Sequence, residues 1–312
     1  MRVKVLGSAA GGGFPQWNCA CSNCQRVRQN AFRGQARTQA QIAASSDGDS
    51  WWLLNASPDL RFQLENTPEL HPRRAPRDTP VAGVVLTSGD LDHVLGLLLL
   101  REFQPLRVYG TPALKSILMD SNSVFRMLFS GQRALVWSDL LPGDAVELRD
   151  VAGQRSGIVI EGIPLLGNFP RYAEANEAIN LPQEEAVIGL TISTRNGDVQ
   201  ATKRMIYAPG LAKVDDTVLS AFDSADLLFV DGTFWSEDEL CATAGRTASQ
   251  MGHLAISGAH GSLKSLANLK TPRKVFIHIN NTNPILDEES PQYREVRAAG
   301  WEVARDGTEF TL

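Results

Sequence analysis

The sequence has few cysteines and no long apolar run, and each shortage excludes a class of protein. Four cysteines among 312 residues are too few for the disulfide framework of a small secreted domain. No apolar run reaches the roughly 18–20 residues that a transmembrane helix needs. Residues 1–7 predict a short strand rather than a signal peptide, because their apolar run is too brief. We therefore expect a cytoplasmic protein with no membrane span.

Positive charge is also in deficit. The chain has 30 lysines and arginines against 35 aspartates and glutamates, a formal net charge of −5. This balance argues against nucleic acid or an anionic membrane as the main partner. A hydrophobic content of 43% with 21% charged residues is typical of a globular enzyme with a substantial core.

Residues 87–96 form the most informative segment. An apolar run precedes it and a run of leucines follows it, so the pattern predicts a buried strand, a polar loop and a helix. The loop contains Asp90, Asp92 and His93, and oxygen and imidazole ligands at this density suit divalent iron, manganese or zinc. The alternative interpretation is that Ser88 or Asp90 only caps the helix.

Two later strand ends carry further ligand types. Asp231 directly follows the apolar run 227–230. His278 lies at the end of another predicted strand, which begins at residue 274. Sheets of α/β proteins bind their ligands at the carboxyl ends of strands, so this recurrence favours a metal site over simple helix caps. His253, which precedes a helix predicted over residues 256–269, is either a proton shuttle or a histidine packed against the ligands.

Three of the four cysteines form a C-x-C-x-x-C cluster, Cys19, Cys21 and Cys24. Their crowding favours a shared soft metal ion over strained disulfides. We expect zinc held by three thiolates, with a fourth ligand from elsewhere in the chain. Such a closed site is structural rather than catalytic. The alternative is that the cysteines are reactive or incidental.

Turn and cap signals complete the prediction of secondary structure. Residues 42–44 and 51–56 predict paired strands, and the Arg-Asn-Gly-Asp sequence at 195–198 predicts a hairpin turn. Ser57 and Thr111, each followed by proline, predict the first residues of two helices. Residues 168–182 form a long polar loop of the kind that covers a site.

The order of these motifs resembles the metallo-β-lactamase superfamily. Residues 88–93 match its His-x-His-x-Asp-His motif in frame, with serine and aspartate in place of the first two histidines. Asp231 matches the family's bridging aspartate and His278 its terminal histidine, whereas the intermediate histidine expected near residues 163–168 is absent. The resemblance implies an α/β fold, an αββα sandwich of two mixed β-sheets with outer helices, in which residues 1–312 form a single domain.

The cysteine cluster resembles the zinc knuckle of a phosphodiesterase branch of that superfamily that acts in phosphonate metabolism. It would occupy about residues 14–30. In that branch the fourth ligand is a histidine three residues after the terminal one, and this position is Asn281 here. The resemblance leaves Asn281 through its carbonyl oxygen, His253 or water as the fourth ligand.

Almost the whole chain is similar to a branch of the superfamily that acts in the biosynthesis of the cofactor pyrroloquinoline quinone. Residues 7–19, 88–93, 231–235 and 278–284 carry this resemblance. It implies a bacterial cytoplasmic enzyme that uses iron and oxygen to hydroxylate the tyrosine ring of a peptide-derived, cross-linked glutamate–tyrosine intermediate. Other proteins of the same pathway are candidate partners. An older assignment for this branch is transport of the quinone or its precursor.

The replaced histidines bear directly on the chemistry. A dinuclear hydrolase needs histidines on both metals to hold a metal-bound hydroxide. Here Asp92, His93 and His278 remain as ligands of one firmly held ion, with Asp90 and Asp231 as further candidates. Two histidines and a carboxylate with open positions are the ligands of non-haem iron(II) oxygenases.

The sequence therefore predicts Fe²⁺ or another divalent ion at this centre and a structural Zn²⁺ at the cysteines. We expect the catalytic residues to be Asp90, Asp92, His93, His253 and His278. The alternatives are a metallo-hydrolase, and a carrier that binds the quinone or its precursor without turnover.

Overall fold

The computed structural model describes residues 1–102, 104–130, 135–173, 180–194 and 203–312. Its strands are β1 (Arg2–Gly7), β2 (Gln41–Ser45), β3 (Trp51–Leu54), β4 (Val81–Val85), β5 (Arg107–Gly110), β6 (Val136–Asp139), β7 (Ala145–Arg149), β8 (Arg155–Pro164), β9 (Ile188–Thr194), β10 (Arg204–Ala208), β11 (Leu227–Asp231), β12 (Arg273–Ile277), β13 (Trp301–Val303) and β14 (Glu309–Thr311). Its α-helices are α1 (Ser22–Arg28), α2 (Leu60–Glu65), α3 (Leu91–Val94), α4 (Pro112–Lys115), α5 (Ser123–Arg126), α6 (Asp216–Asp223), α7 (Cys241–Ala244), α8 (Ser262–Ser265) and α9 (Pro291–Ala298).

The strands form two mixed sheets, each of seven strands in the described part of the chain. The first has the order β14-β1-β2-β3-β4-β5-β6, and the second has the order β13-β12-β11-β10-β9-β8-β7. In the first sheet, the neighbouring strands from β3 to β6 are parallel. In the second sheet, the neighbouring strands from β10 to β13 are parallel. The remaining neighbours are antiparallel.

Alternating side chains of each sheet enter two different layers of the core. In β3, Trp52 and Leu54 pack between the two sheets, whereas Trp51 and Leu53 pack under the helices outside the first sheet. Because successive side chains of a strand point to opposite faces, a sheet covered on both faces reads as a continuous apolar run. The predicted sandwich of two mixed β-sheets with outer helices is therefore confirmed.

Several local predictions are confirmed and two are wrong. β2 and β3 pair antiparallel as predicted, and the Oγ1 of Thr111 accepts from the backbone N–H of Leu114 at the start of α4. The helix predicted at Ser57 instead begins at Leu60, after a turn in which Ser57 Oγ accepts from the N–H of Asp59.

The helix predicted over residues 256–269 is reduced to α8. Gly258 has a left-handed φ of 95°, and a side chain on Gly261 would come 2.2 Å from the carbonyl oxygen of Ser257. Both glycines therefore belong to a turn before α8 rather than to a longer helix. The hairpin predicted at residues 195–198 lies outside the described residues, as do residues 174–179 of the predicted polar loop.

The carboxyl ends of strands from both sheets meet at one edge of the sandwich. Ser88, just after β4, forms a bridge with Val187 of the second sheet, and Ala9, just after β1, forms a bridge with Ile279. The second bridge joins the loops after β1 and β12, and the N–H of Asn280 donates to the carbonyl oxygen of Thr233 in the loop after β11. Within the described residues, none of the helices combines the length and apolar character that a membrane crossing needs.

Candidate metal centre

Backbone hydrogen bonds and one buried asparagine hold the loop after β4 in place. Asn55 has a left-handed φ of 67°, and its Oδ1 accepts from the N–H of Thr87 at 2.8 Å. The carbonyl oxygen of Thr87 accepts from the N–H of Ile188 at 2.8 Å. The loop that precedes Asp90 is thus fixed from both sheets before any ligand binds.

Asp92, His93 and His278 converge at this edge. Their potential ligand atoms all lie within 4.8 Å of one another. Nε2 of His278 lies 2.8 Å from Oδ2 of Asp92, and the rings of His93 and His278 meet edge to face. His278 adopts a left-handed φ of 59°, a conformation rare outside glycine that is concentrated at functional sites.

His93 presents a bare nitrogen to the cluster. Its Nδ1 lies 2.8 Å from the Oγ of Ser88, whereas its Nε2 is buried and has no hydrogen-bond partner in the described residues. A buried N–H without a partner is costly, while an unprotonated Nε2 is a standard metal ligand. The donor set therefore fits a divalent cation.

Asp231, His253 and His278 form an adjoining group whose potential ligand atoms also lie within 4.8 Å of one another. Nδ1 of His253 lies 2.6 Å from Oδ2 of Asp231, and the rings of His253 and His278 stack. Oγ1 of Thr233 lies 2.5 Å from Oδ1 of Asp231 and 2.8 Å from Nδ1 of His278. Asp231 thus connects both histidines to the end of β11.

Burial and neighbouring charges shift the pKa values at this edge in opposite directions. Burial acts to raise the pKa of Asp92, but the adjacent imidazoles of His93 and His278 hold it well below its usual range. Burial lowers the pKa of His93, which favours the neutral ring that a metal requires. Burial also acts against the charged form of His253, but Asp231 outweighs this and raises its pKa.

The remaining predicted residue, Asp90, lies at the rim of the cluster. Its Oδ2 accepts from the Oγ of Ser88 at 2.9 Å, and Asp90 belongs to neither group of converging ligand atoms found in the described residues. Beside it, the hydroxyl of Tyr172 donates to the carbonyl oxygen of Gly89 at 2.5 Å. The described part of the predicted covering loop thus contacts the loop that carries Asp90.

Sequence reasoning did not identify Ser88 and Thr233 as functional residues. A serine in the place of a histidine is interpreted only as the loss of a ligand. Thr233, for its part, follows a strand-end aspartate and glycine like any turn residue. Their hydrogen bonds to His93 and His278 become visible only once the strand ends are assembled.

A second cluster joins the N-terminal loop to the loop after β12. The sulfurs of Cys19, Cys21 and Cys24 lie within 4.8 Å of one another. Burial raises the pKa of the Cys24 thiol to about 11. Burial also acts to raise the pKa of the Cys19 thiol. Hydrogen bonds outweigh this effect and lower that pKa, and the largest of them comes from the backbone N–H of Cys21. Three thiols packed this tightly fit a soft cation such as zinc.

Asn281 caps the three sulfurs. Its Nδ2 lies 3.1 Å from Sγ of Cys19, 3.7 Å from Sγ of Cys21 and 3.4 Å from Sγ of Cys24. Rotating the amide by half a turn places Oδ1 toward the sulfurs instead, as a fourth ligand of a bound zinc requires. His253 contacts Asp231, so Asn281 is the better placed of the two predicted residues, and water is the third predicted candidate.

Comparison with known proteins agrees with this architecture. The family model described as "Beta-lactamase superfamily domain" matches residues 50–279. Coenzyme PQQ synthesis protein B of Nitrosococcus oceani is 43% identical over 321 residues, which cover 100% of both chains. The protein of the same name from Cupriavidus necator is 44% identical over 315 residues, 99% of each chain.

A solved structure shares the whole fold. The 1.98 Å crystal structure of Zn²⁺-bound PqqB from Methylobacterium extorquens superposes with a TM-score of 0.89 at 38% identity and covers 100% of both chains. The two sheets and the matched domain thus define a protein of the β-lactamase superfamily. Within it, the chain belongs to the coenzyme PQQ synthesis protein B family.

Proposed function

We propose that this protein hydroxylates the tyrosine ring of a cross-linked glutamate–tyrosine intermediate on the route to pyrroloquinoline quinone. Family membership supports the pathway, and the geometry of Asp92, His93 and His278 supports the chemistry. These three residues would hold one Fe²⁺. When bound, iron(II) supplies the activation of dioxygen that hydroxylation of a phenol requires.

The observation that carries the proposal is the bare Nε2 of His93 beside the Nε2 of His278 and the carboxylate of Asp92. The side chains of Asp92 and His278 are 15% and 7% exposed, so the cluster is largely shielded from solvent without being fully enclosed. A single carboxylate with two imidazoles leaves coordination positions free for a substrate and dioxygen. Two metals held by histidines on both sides, as in a hydrolase, would need ligands that Ser88 does not offer.

Protons and electrons must also be supplied. Each hydroxylation inserts one atom of dioxygen and reduces the other to water, which takes two protons and two electrons from an external reductant. His253 is placed to move a proton, because Asp231 holds its Nδ1 and its ring stacks on that of His278. We therefore assign proton delivery to His253. In line with the expected cytoplasmic protein, we place the reaction in the cytoplasm.

The cysteine cluster would hold a structural Zn²⁺ through Cys19, Cys21, Cys24 and Asn281. Asn281 lies three residues after His278 in the loop that follows β12. A zinc ion at the cysteines would therefore tie the N-terminal loop to the segment that positions His278. This is a stabilising role, since a closed thiolate site leaves no position for a substrate.

Oxygen uptake tests the proposal. The protein is loaded anaerobically with Fe²⁺ and mixed with a glutamate–tyrosine substrate, a reductant and isotopically labelled dioxygen. We expect substrate-dependent oxygen consumption and one labelled oxygen atom per hydroxylation. His93→Ala should abolish both, whereas His260→Ala, the same change at an exposed histidine, should abolish neither.

Two other outcomes would contradict the proposal in favour of an alternative. Tight binding of the quinone without oxygen consumption would indicate a carrier. Metal-dependent cleavage of a generic ester or phosphodiester, lost in Asp92→Ala, would indicate a hydrolase.

A further inference from the structure

A hydroxyl group links His93 to the carboxylate of Asp90. Nδ1 of His93 lies 2.8 Å from Oγ of Ser88, and this Oγ lies 2.9 Å from Oδ2 of Asp90. The N–H of Asp90 also donates to Oγ, at 3.2 Å. Because a carboxylate only accepts, the hydroxyl proton goes to Asp90. Oγ then accepts from His93, whose ring proton is thereby placed on Nδ1, away from the metal centre.

A second hydroxyl makes the same link at the end of β11. Oγ1 of Thr233 lies 2.5 Å from Oδ1 of Asp231, 2.9 Å from the carbonyl oxygen of His278 and 2.8 Å from Nδ1 of His278. Both oxygens are acceptors, and the nearer one, Oδ1 of Asp231, takes the hydroxyl proton. The ring nitrogen must then be the donor in the contact between Nδ1 of His278 and Oγ1. His278 therefore also carries a proton on Nδ1 and turns its Nε2 toward Asp92.

The carboxylate of Asp231 is fully engaged by protein donors. Its Oδ1 accepts from the N–H and the hydroxyl of Thr233, at 2.9 and 2.5 Å. Its Oδ2 accepts from the N–H of Leu211 at 2.9 Å and from Nδ1 of His253 at 2.6 Å. A carboxylate offers about four acceptor positions, and these donors use all of them. Such a carboxylate anchors its neighbours rather than binding a cation.

We propose that Ser88 and Thr233 are positioning residues of the metal centre. Each hydroxyl accepts the Nδ1–H of one metal-binding histidine and donates to one carboxylate, Asp90 or Asp231. The pair of links fixes both imidazoles in the tautomer that presents an unprotonated Nε2. This inference rests on the metal centre of the proposed function and adds to it the residues that orient its ligands.

The links also explain why one metal ion, rather than two, fits this edge. Ser88, Asp90 and Asp231 occupy positions that supply ligands in the superfamily motif. In this chain their polar atoms bind one another and the two histidines instead. A carboxylate at the far end of each link strengthens the imidazole as a ligand. The remaining Asp92 provides the single carboxylate of the centre.

Cobalt binding tests the positioning role without any turnover. Co²⁺ alone is titrated into protein whose cysteine cluster already holds zinc, and the visible spectrum reports affinity and ligand geometry. We expect Thr233→Val and Ser88→Ala to weaken Co²⁺ binding by about 10- to 100-fold, as is usual for partners of metal-binding histidines. Thr233→Ser, which keeps the hydroxyl, should restore both the affinity and the wild-type spectrum.

Thr271→Val is the matched control, because Thr271, like Thr233, is a buried threonine whose hydroxyl is hydrogen-bonded. Its hydroxyl donates to the backbone carbonyl oxygen of Phe222. The variant removes one hydroxyl at a distance from the metal centre and should leave Co²⁺ affinity unchanged. Wild-type affinity in Thr233→Val and Ser88→Ala would overturn the proposal. Equal losses in Thr233→Ser and Thr233→Val would also overturn it, because the hydroxyl would then not be the group that matters.

Nitrogen NMR of the wild-type protein gives an answer even if the variants do not fold. With diamagnetic Zn²⁺ at both sites, we expect Nδ1–H signals for His93 and His278 and no Nε2–H signals. Protons on Nε2 would overturn the proposal. The result is separate from the proposed function, because the tautomers can be as expected in a protein that consumes no oxygen.

Discussion

Nε2 of His278 lies 2.8 Å from Oδ2 of Asp92, although the two residues are 186 positions apart in the chain. Nδ1 of the same ring lies 2.8 Å from Oγ1 of Thr233, so Nε2 and the carboxylate face each other as two ligands of one cation would. Because a metal ion binds only carboxylates and unprotonated imidazole nitrogens, metal affinity at this edge should fall as the pH is lowered.

The fold creates this contact by bringing strand ends of opposite sheets together. Asp92 follows β4 in the first sheet and His278 follows β12 in the second, and bridges next to both strands join the sheets. Each residue alone would be a buried polar group without compensation. Together, Asp92 and His278 form a site that a bound cation would complete.

The two metal sites should be separable by mutation. We expect freshly purified, anaerobically iron-loaded protein to contain zinc and iron in equal amounts. The Asp92→Ala/His93→Ala double variant should lose the iron and keep the zinc, because the cysteine cluster is intact. Cys19→Ser should lose the zinc. Elemental analysis of each protein provides the measurement.

Two further variants test whether metal loss is specific to the ligands or follows from any histidine-to-alanine change. His71→Ala and His260→Ala change a half-buried and an exposed histidine outside both clusters and should leave both metals in place. Zinc alone in the wild type, with nothing at the second site after iron loading, would contradict the hydroxylase proposal and favour a carrier.

Asn281 should prove to be the fourth ligand of the structural zinc. Asn281→Asp keeps an oxygen at the same position and should retain zinc, whereas Asn281→Leu has a similar size but no ligand atom and should bind it far more weakly. Competition with a chromogenic chelator measures the difference. Equal zinc affinity in the two variants would show that water or another residue completes the site.

Asn55 supports the loop that carries the metal ligands, so replacing it should lower the free energy of unfolding. Asn55→Ala leaves the buried N–H of Thr87 without its acceptor and places alanine at a left-handed φ of 67°. Together these effects should lower the free energy of unfolding by about 2–4 kcal/mol, as measured by urea denaturation.

Asn30→Ala is the appropriate comparison for this variant. Asn30 has a φ of 55° but is exposed, so its replacement costs the backbone term alone, about 1 kcal/mol. Equal losses in the two variants would mean that the hydrogen bond to Thr87 contributes nothing.

The sequence was sufficient to predict the convergence of Asp92, His93 and His278, because each follows an apolar strand and ligands collect at strand ends. It was not sufficient for the partners of these ligands. Thr233 contacts a histidine 45 positions away, and nothing local marks its hydroxyl. The helix predicted over residues 256–269 failed because its apolar spacing masked a turn that two glycines make.

The half-buried carboxylate of Asp306, between β13 and β14, should make stability fall as the pH rises. Asp306 accepts from Ser8 Oγ at 2.7 Å and from the N–H of Thr38 at 2.6 Å. Burial nevertheless raises its pKa above the ordinary value of 3.8. The folded state therefore binds this proton more tightly than the unfolded state, and stability from Asp306 is lost as the pH rises through the raised pKa.

Asp78 provides the opposite case in the same molecule. Its Oδ2 accepts from the N–H groups of Arg74 and Arg73, which lower its pKa. Its contribution is therefore present above the ordinary carboxyl pKa and is lost as the pH falls.

Urea unfolding of Asp306→Asn and Asp78→Asn across acidic to neutral pH tests both signs. The stability difference, wild type minus variant, should decrease with rising pH for Asp306→Asn and increase for Asp78→Asn. Because each variant is compared with the wild type at the same pH, loss of metal at low pH largely cancels. A pH-independent difference for Asp306→Asn, or the same slope for both variants, would show that burial does not govern the ionisation of Asp306.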